Sequence, residues 1–385
     1  MTLISLACDW LACALAAAGI IYTVVSGLFI RRFFAPGRTP PAAPAFGVQE
    51  GATILKPLHG AEPSLRRNLE SFVLQNDAGP LQVVLGLHSA RDPALGIAQS
   101  VQRDHPDRAV LIETDARLHG QNRKISNVIN MMPAASHPIV ILSDSDIGAK
   151  PDYLRQIRAA LAQPSVGVVS CPYYGEGRSG FWSDIAAMGL SYQFLPDVIA
   201  GVSLGMATPC MGSTIALRRE TLGRIGGFEA FSDVLADDYA IGDAVRGLGL
   251  KSVVAPVLVV HGCTEKHFDE TFSHELRWAK TVKGVDPLGH LGSVVTHPLP
   301  LALLAALFTD FHAPSLVLIA VAFAARVWLM STVDRVIGRP LGRWWLMPMR
   351  DMLSFFVFVG SFFVRSVEWR GMKFHVSENG DLKPV

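Results

Sequence analysis

The sequence predicts an α/β domain built on a mostly parallel sheet and flanked by transmembrane and interfacial helices. Three observations carry this. Short β-branched runs alternate with amphipathic stretches between residues 51 and 260, the pattern of βα units. Residues 11–30 are apolar without a single charge. The 385 residues are 50% hydrophobic and only 17% charged, against about 25% charged in soluble domains, and the mean hydropathy is +0.32.

The elements follow in chain order. About twenty apolar residues at about 1.5 Å each match one hydrocarbon thickness, so 11–30 reads as a membrane helix. Asp9 precedes it and Arg31 and Arg32 follow, the reverse of a signal peptide, and the arginines place its C-terminal side in the cytoplasm. The expected division is a membrane helix in 1–35, a Pro-rich linker in 36–50, an α/β domain in 51–293, membrane helices in 294–366 and a polar tail in 367–385. Within the domain, the runs 52–58, 82–88, 109–113, 139–143 and 166–171 read as strands. Leu65, Leu69, Phe72 and Val73 share one helical face between the first two. After residue 293, three apolar pieces (299–308, 316–330 and 352–364) each fall short of a full span, and Arg326 interrupts the second. Re-entrant or interfacial helices are among the options. Arg335, Arg339, Arg343 and Arg350 put the loop between the second and third pieces on the cytoplasmic side. The apolar stretch 181–211 is either an acceptor groove, a membrane-surface segment or ordinary core helices.

A net charge of +1 gives no general attraction for nucleic acid. Five cysteines without CxxC spacing argue against a disulfide framework or zinc module, and nothing completes a ligand set around His261, Cys263 and His267.

Ligands of open α/β sheets sit at the carboxyl ends of strands, and there Ser143-Asp144-Ser145-Asp146 follows an apolar run. Two carboxylates one residue apart can address one hard divalent cation, Mg²⁺ or Mn²⁺, whose other positions go to water and phosphate oxygens. An Asx turn or helix cap is the plain alternative. Asp237-Asp238 opens a second helical stretch. Beside a metal-bound sugar nucleotide, a carboxylate can take the proton of an attacking alcohol, and Asp238 is the candidate base; a helix cap is again the alternative. His274-Glu275-Leu276-Arg277-Trp278, followed by Lys280 and Lys283, could neutralise a leaving diphosphate or form an interfacial anchor.

Lys56-Pro57-Leu58, Asp92, Asn122-Arg123-Lys124-Ile125-Ser126-Asn127, Asp144-Ser145-Asp146, Asp237-Asp238-Tyr239 and Arg277-Trp278 stand in the order seen in ceramide glucosyltransferases, and the chain resembles that family, glycosyltransferase family 21, throughout. Leu118-His119-Gly120-Gln121-Asn122 and His274 to Trp278 are similar to its bacterial hopanoid-biosynthesis branch. The resemblance implies a GT-A, Rossmann-like fold, an inverting mechanism and a UDP-sugar donor. It implies uridine contact for Asp92, a nucleotide-pocket place for Lys56, and donor binding by Asn122, Lys124, Asp144 and Asp237. It also implies metal binding by Asp144 and Asp146, the base role for Asp238, and diphosphate contact for His274, Arg277 and Trp278. Gly226-Gly227-Phe228 resembles an acceptor-side loop, or is a plain turn. His274 departs from the Gln or Arg of relatives, and Asp146 replaces a Gly of the eukaryotic enzymes. The expected reaction is N-acetylglucosamine transfer from UDP-GlcNAc to bacteriohopanetetrol at the bacterial cytoplasmic membrane, with the catalytic domain facing the cytoplasm. Ceramide glucosylation, a processive polysaccharide synthase and an inactive scaffold are the alternatives.

Overall fold

The computed structural model describes residues 3–37, 50–363, 367–369, 372–376 and 382–384, with side chains described for 10–37 and 50–363. Residues 38–49 of the expected linker, and the side chains of the expected tail, lie outside the described residues. By contact the chain forms two compact units. One comprises 35–178 and 205–264; the other comprises 1–34, 179–204 and 265–385.

The first unit is the α/β part. Its main sheet contains β1 Ala52–Pro57, β2 Leu81–Leu87, β3 Ala109–Thr114, β4 Ile139–Leu142, β6 Val166–Ser170, β8 Ile215–Arg218 and β9 Lys251–Val254, in the order β3-β2-β1-β4-β8-β6-β9. The five strands expected from the sequence form within a residue of their expected ends. β1 pairs in parallel with β2 and β4, and β2 with β3. β8 runs antiparallel between β4 and β6. Strand β1 is buried along its whole length, as expected for a strand covered on both faces. Its side chains alternate: Ile54 packs under the helices Leu65–Val73 and Tyr153–Leu161, while Leu55 packs with the helices Arg123–Met131 and Asp237–Gly247. Leu65, Leu69, Phe72 and Val73 are all buried on the expected face.

A smaller sheet joins β5 Ile147–Gly148, β10 Val259–Cys263 and β7 Tyr173–Gly177 in the order β5-β10-β7. These short strands, and β8, carry no period-2 alternation long enough to be legible in the sequence. They nevertheless decide the site. Because β8 is antiparallel to β4 with Leu142 opposite Ile215, residues just before β8 lie beside residues just after β4. Likewise β10 is antiparallel to β5 with His261 opposite Ile147.

The second unit is helical. Among the described residues, three helical stretches are long and apolar enough to cross a membrane: Trp10–Phe33, Phe181–Ser203 and Ala313–Ile337. A bent pair, Pro287–Thr296 and Pro298–Phe308, with 71° between its halves, is a candidate broken span. This corrects one expectation: the piece 316–330 belongs to a 25-residue helix of full spanning length. The stretch 181–203 contains one π-helical turn at Leu190–Phe194. Arg326 does not break its helix, because it is fully partnered. Its Nε and Nη2 lie 2.9 and 2.8 Å from the two oxygens of Asp351, and Nη1 donates to the Tyr192 carbonyl at 2.8 Å, on the π-helical turn. Both side chains of the pair are 3% exposed. Tyr192 donates in turn to Asp334 at 2.7 Å. Small residues let the helices approach, as in other membrane bundles: a β-carbon on Gly27 would lie 2.2 Å from the Trp328 ring.

Removing one partner of a buried ion pair strands the other charge, at a cost of about 3–5 kcal/mol, whereas replacing both with apolar groups is often neutral. Arg326→Met is therefore expected to lower the melting temperature of the detergent-solubilised protein sharply. Arg326→Met combined with Asp351→Leu should recover most of the loss.

Candidate functional site

The site assembles at the carboxyl end of β4. All four residues of β4 are buried, and the chain then turns through Ser143-Asp144-Ser145-Asp146 into β5. Backbone bonds fix this loop: the Ser143 amide donates to Leu55 O at 3.1 Å, Asp144 N to Gly212 O at 3.3 Å, and Gly262 N to Asp146 O at 2.9 Å.

Lys124 lies on the helix Arg123–Met131 and bridges two acidic segments, with Nζ 3.0 Å from Asp144 Oδ1 and 3.0 Å from Asp237 Oδ2. Burial disfavours its charge, but Asp144, Asp237 and Asp238 outweigh that and hold its ammonium well above the ordinary lysine value. It is not the solvated surface lysine that a helix position alone suggests. Asn122 caps the same helix, accepting from Ile125 N at 3.1 Å, and its Nδ2 donates to Asp237 Oδ1 at 3.2 Å and to Val234 O at 2.8 Å. One asparagine therefore starts the lysine-bearing helix and orients the carboxylate that the lysine meets.

Asp238 opens the helix Asp237–Gly247. Its Oδ2 accepts from Gly212 N at 2.9 Å and its Oδ1 from Tyr239 N at 2.8 Å. Burial first, and then the neighbouring Asp237, raise its carboxyl to about 6, with Lys124 and the two amides opposing. Gly212 stands between the two acidic pairs. A β-carbon there would lie 2.8 Å from Asp144 Oδ2 and 3.3 Å from Lys124 Nζ, so only glycine lets the backbone pass. Asp144, Asp237 and Asp238 thus meet around one glycine and one lysine.

Asp146 has its Oδ2 3.4 Å from His261 Nε2. Its Oδ1 is buried with no hydrogen-bond partner. Such an oxygen is normally paired. Glu62 is similar: one oxygen accepts from Ser145 Oγ at 3.0 Å, the other is buried without a partner, and burial followed by Asp146 raises the group to about 7. Among the described residues, no group of three or more His, Cys, Asp or Glu is placed to hold a metal ion. A site of one or two carboxylates completed by phosphate oxygens and water is the usual arrangement for Mg²⁺ with nucleotides, and the residues present fit that arrangement.

Lys56 is neither exposed nor aimed outward. It is fully buried and donates to Ser143 Oγ at 3.2 Å, to Ile147 O at 3.1 Å and to Asp144 O, with the Phe72 ring 4.0 Å away. Burial lowers its ammonium to about 7, against the pull of Asp146, Asp144 and Glu62. Asp92 is occupied locally, with Oδ1 accepting from Gly60 N and Ala94 N, both at 2.9 Å, and Oδ2 3.1 Å from His59 Nδ1. It makes the turn before its helix and also ties that turn to the loop after β1. Gly226 and Gly227 form a turn with φ of 90° and 72° that buries Phe228.

His274, Arg277 and Trp278 belong to the helical unit, on the helix Phe268–Val285. His274 Nδ1 lies 2.7 Å from Glu265 Oε1, and its ring centroid is 4.2 Å from that of Trp278, one turn on. Between them, Glu275 takes both nitrogens of Arg350, at 2.6 and 2.5 Å, pinning this helix to the helix Met347–Gly360.

Sequence reasoning missed Gly212, Glu62, His261 as a neighbour of Asp146, and Tyr173, whose ring stacks on His261 with centroids 5.7 Å apart. For Gly212 and His261 the signal lay in the antiparallel pairings of β8 and β10, and for Tyr173 in the parallel pairing of β7 with β10, which no local pattern announces.

The fold is that of a GT-A-like glycosyltransferase. It is shared, with a TM-score of 0.52 at 19% identity, by a mannosyltransferase from Pyrobaculum calidifontis solved with GDP-Man and Mn²⁺; the match covers 92% of this chain and 99% of that one. The sequence pattern of glycosyl transferase family 21 matches residues 11–382, and the chain belongs to that family. Ceramide glucosyltransferase 1 of Caenorhabditis elegans is 24% identical over 86% of this chain and 73% of its own length, and ceramide glucosyltransferase 3 of the same organism is 22% identical over 87% and 74%.

The narrow passage at Gly212 gives a direct test. Gly212→Ala should displace Asp144 or Lys124 and weaken nucleotide-sugar binding by about tenfold, the scale of a displaced contact of about 1.4 kcal/mol, while the melting temperature changes little. Calorimetric titration with UDP checks this.

Proposed function

We propose that this protein transfers a sugar from a UDP-sugar to a hydroxyl of a membrane lipid, at the cytoplasmic face of a bacterial inner membrane. The observation that carries the reading is the meeting of Asp144, Asp237 and Asp238 around Lys124 and Gly212 in a family 21 chain. The apolar helices supply the lipid side: a water-soluble donor reaches an α/β unit whose chain continues into segments fit to lie in a bilayer. Arg31 and Arg32, in the last turn of the N-terminal helix, support the cytoplasmic assignment.

In this reading Asp144 and Asp146 would hold Mg²⁺ or Mn²⁺, and the ion would supply charge stabilisation for a departing diphosphate. Lys124, held by Asn122 and Asp237 in the orientation described, neutralises charge at the donor side. Asp238 accepts the proton of the acceptor hydroxyl as its oxygen forms a bond to the anomeric carbon. The bond from that carbon to the diphosphate oxygen breaks, and the configuration inverts. Diphosphate contact by His274, Arg277 and Trp278 stays part of the reading on the family resemblance alone, and Asp92 serves the uridine from the turn it also holds together.

The finer reading is N-acetylglucosamine transfer to bacteriohopanetetrol, supported by the similarity of residues 118–122 and 274–278 to hopanoid-branch enzymes. A second reading, glucose transfer to ceramide, is favoured by the two nematode relatives. Purified protein given UDP-GlcNAc or UDP-glucose with hopanoid polyol or ceramide, and analysed by mass spectrometry of the lipids, separates them. Absence of any glycolipid with the whole panel overturns the proposal.

Asp238→Asn should lower kcat by about 10²–10⁴, the range of general-base catalysis, with UDP affinity retained. The pH dependence follows from the raised carboxyl. Asp238 is protonated below about 6, so kcat/KM should be level above that pH and fall about tenfold per unit below it. Asp237, Lys124, Cys210 and Tyr173 are the titratable groups facing it. Asp144→Ala with Asp146→Ala should abolish the metal dependence of donor binding in a calorimetric titration.

A further inference from the structure

We infer that Lys56 is a positioning residue for the metal-binding loop: a buried ammonium that grips the loop's own oxygens and so aims the carboxylates of Asp144 and Asp146, without touching the nucleotide. This rests on the transferase reading above and goes beyond it.

An ammonium has three protons to donate, and Lys56 has three acceptors, Ser143 Oγ, Asp144 O and Ile147 O. Those acceptors span both ends of the loop, from the last residue before Asp144 to the first after Asp146. All three are neutral oxygens. The ammonium is therefore taken up by the loop's neutral oxygens and pairs directly with neither carboxylate; Asp144 is met instead by Lys124, and Asp146 Oδ1 has no partner. With no exposed surface and the Phe72 ring against it, the side chain has no proton left for a phosphate and no path to one.

The rest of the loop is held in the same manner. Asn68 Nδ2 donates to Ser145 O at 3.1 Å, and Gly262 N donates to Asp146 O at 2.9 Å. Carbonyl oxygens 144, 145, 146 and 147 thus each have a donor from outside the loop. The consequence is visible at Asp146, whose Oδ1 is buried and yet unpartnered. A loop free to relax would turn that oxygen toward a donor; one clamped at four successive carbonyls cannot. Clamping keeps a carboxylate oxygen unpaired for a cation, as outer partners of metal ligands do elsewhere.

The test uses the full-length protein in detergent and separates two affinities. UDP binding is measured by calorimetry with EDTA present. Mn²⁺ binding to the UDP-loaded protein is measured from the electron paramagnetic resonance of free Mn²⁺. Lys56→Met, similar in length and without donors, should weaken Mn²⁺ binding by about 10–100-fold, the effect typical of losing an outer partner, and leave metal-free UDP affinity unchanged. Asn68→Ala loosens the same loop through a different carbonyl and should shift Mn²⁺ affinity in the same direction; it decides the matter if Lys56→Met fails to fold by thermal melt. A fall in metal-free UDP affinity in Lys56→Met would make the lysine a nucleotide ligand and overturn the inference, as would unchanged Mn²⁺ affinity in the folded variants. Wild-type protein with no Mn²⁺–UDP linkage would overturn the metal-binding role proposed for Asp144 and Asp146, whereas the transferase reading fails separately, on the absence of glycolipid product.

Discussion

The contact on which the α/β unit's acidic end depends is Lys124 between Asp144 and Asp237. Three chain segments far apart in sequence end there: the loop after β4, the helix Arg123–Met131 and the helix Asp237–Gly247. Each would present an unpaired charge at a crowded strand end without the other two. Taking charges out of water is expensive unless geometry is good and other hydrogen bonds complete the set. Asn122 completes it from one side, and the amide of Gly212 serves Asp238 on the other. Arrangement and electrostatics are therefore one constraint: moving any member uncovers a charge on another.

The helical unit solves the same problem with different means. Arg326 inside an apolar helix looks like an interruption, yet Asp351 and the carbonyl of Tyr192 receive it. The residue four positions after Tyr192 is Pro196, which has no N–H to donate, so the Tyr192 carbonyl lacks its regular helical donor and can accept from the arginine. Arg350 and Glu275 repeat the pattern. Charged groups in such an environment persist because they are paired, and each pair joins two helices. Gln193 adds a neutral link, donating to Thr296 Oγ1 at 2.6 Å, while Tyr22 donates to Asp197 at 2.9 Å from the N-terminal helix.

How much is legible in the sequence follows from how local each signal is. The five expected strands are readable because each is a continuous β-branched run, and the helix Leu65–Val73 because its buried residues repeat at helical spacing. Asp144, Asp237, Asp238 and Lys124 are readable as chemistry, since paired carboxylates and a nearby lysine announce themselves by type. Gly212 and His261 are not, because they reach the site through antiparallel pairing of short strands, a long-range fact with no local period. Lys56 is legible as a residue of the right neighbourhood, but its burial depends on the β5 turn folding over it. Arg326 misleads for the opposite reason: its partner lies 25 residues away on another helix, so the charge is visible and its neutralisation is not. That same arginine makes the span 313–337 look shorter in the sequence than it is.

The charge balance of the acidic end bears on the order of events. Asp144, Asp146, Asp237 and Asp238 outnumber the two lysines among them, Lys56 and Lys124. The site is thus acidic on its own, and a diphosphate arriving alone would meet net repulsion, which at these distances and in partly dry surroundings is not negligible. On the proposed reading a divalent cation removes that repulsion, and Asp146 Oδ1, buried without a partner, is one of the oxygens it would meet. The carboxylates alone are too few to hold the ion tightly, and the diphosphate alone is repelled, so on the proposed reading each ligand raises the affinity for the other. Linkage requires the effect to be mutual.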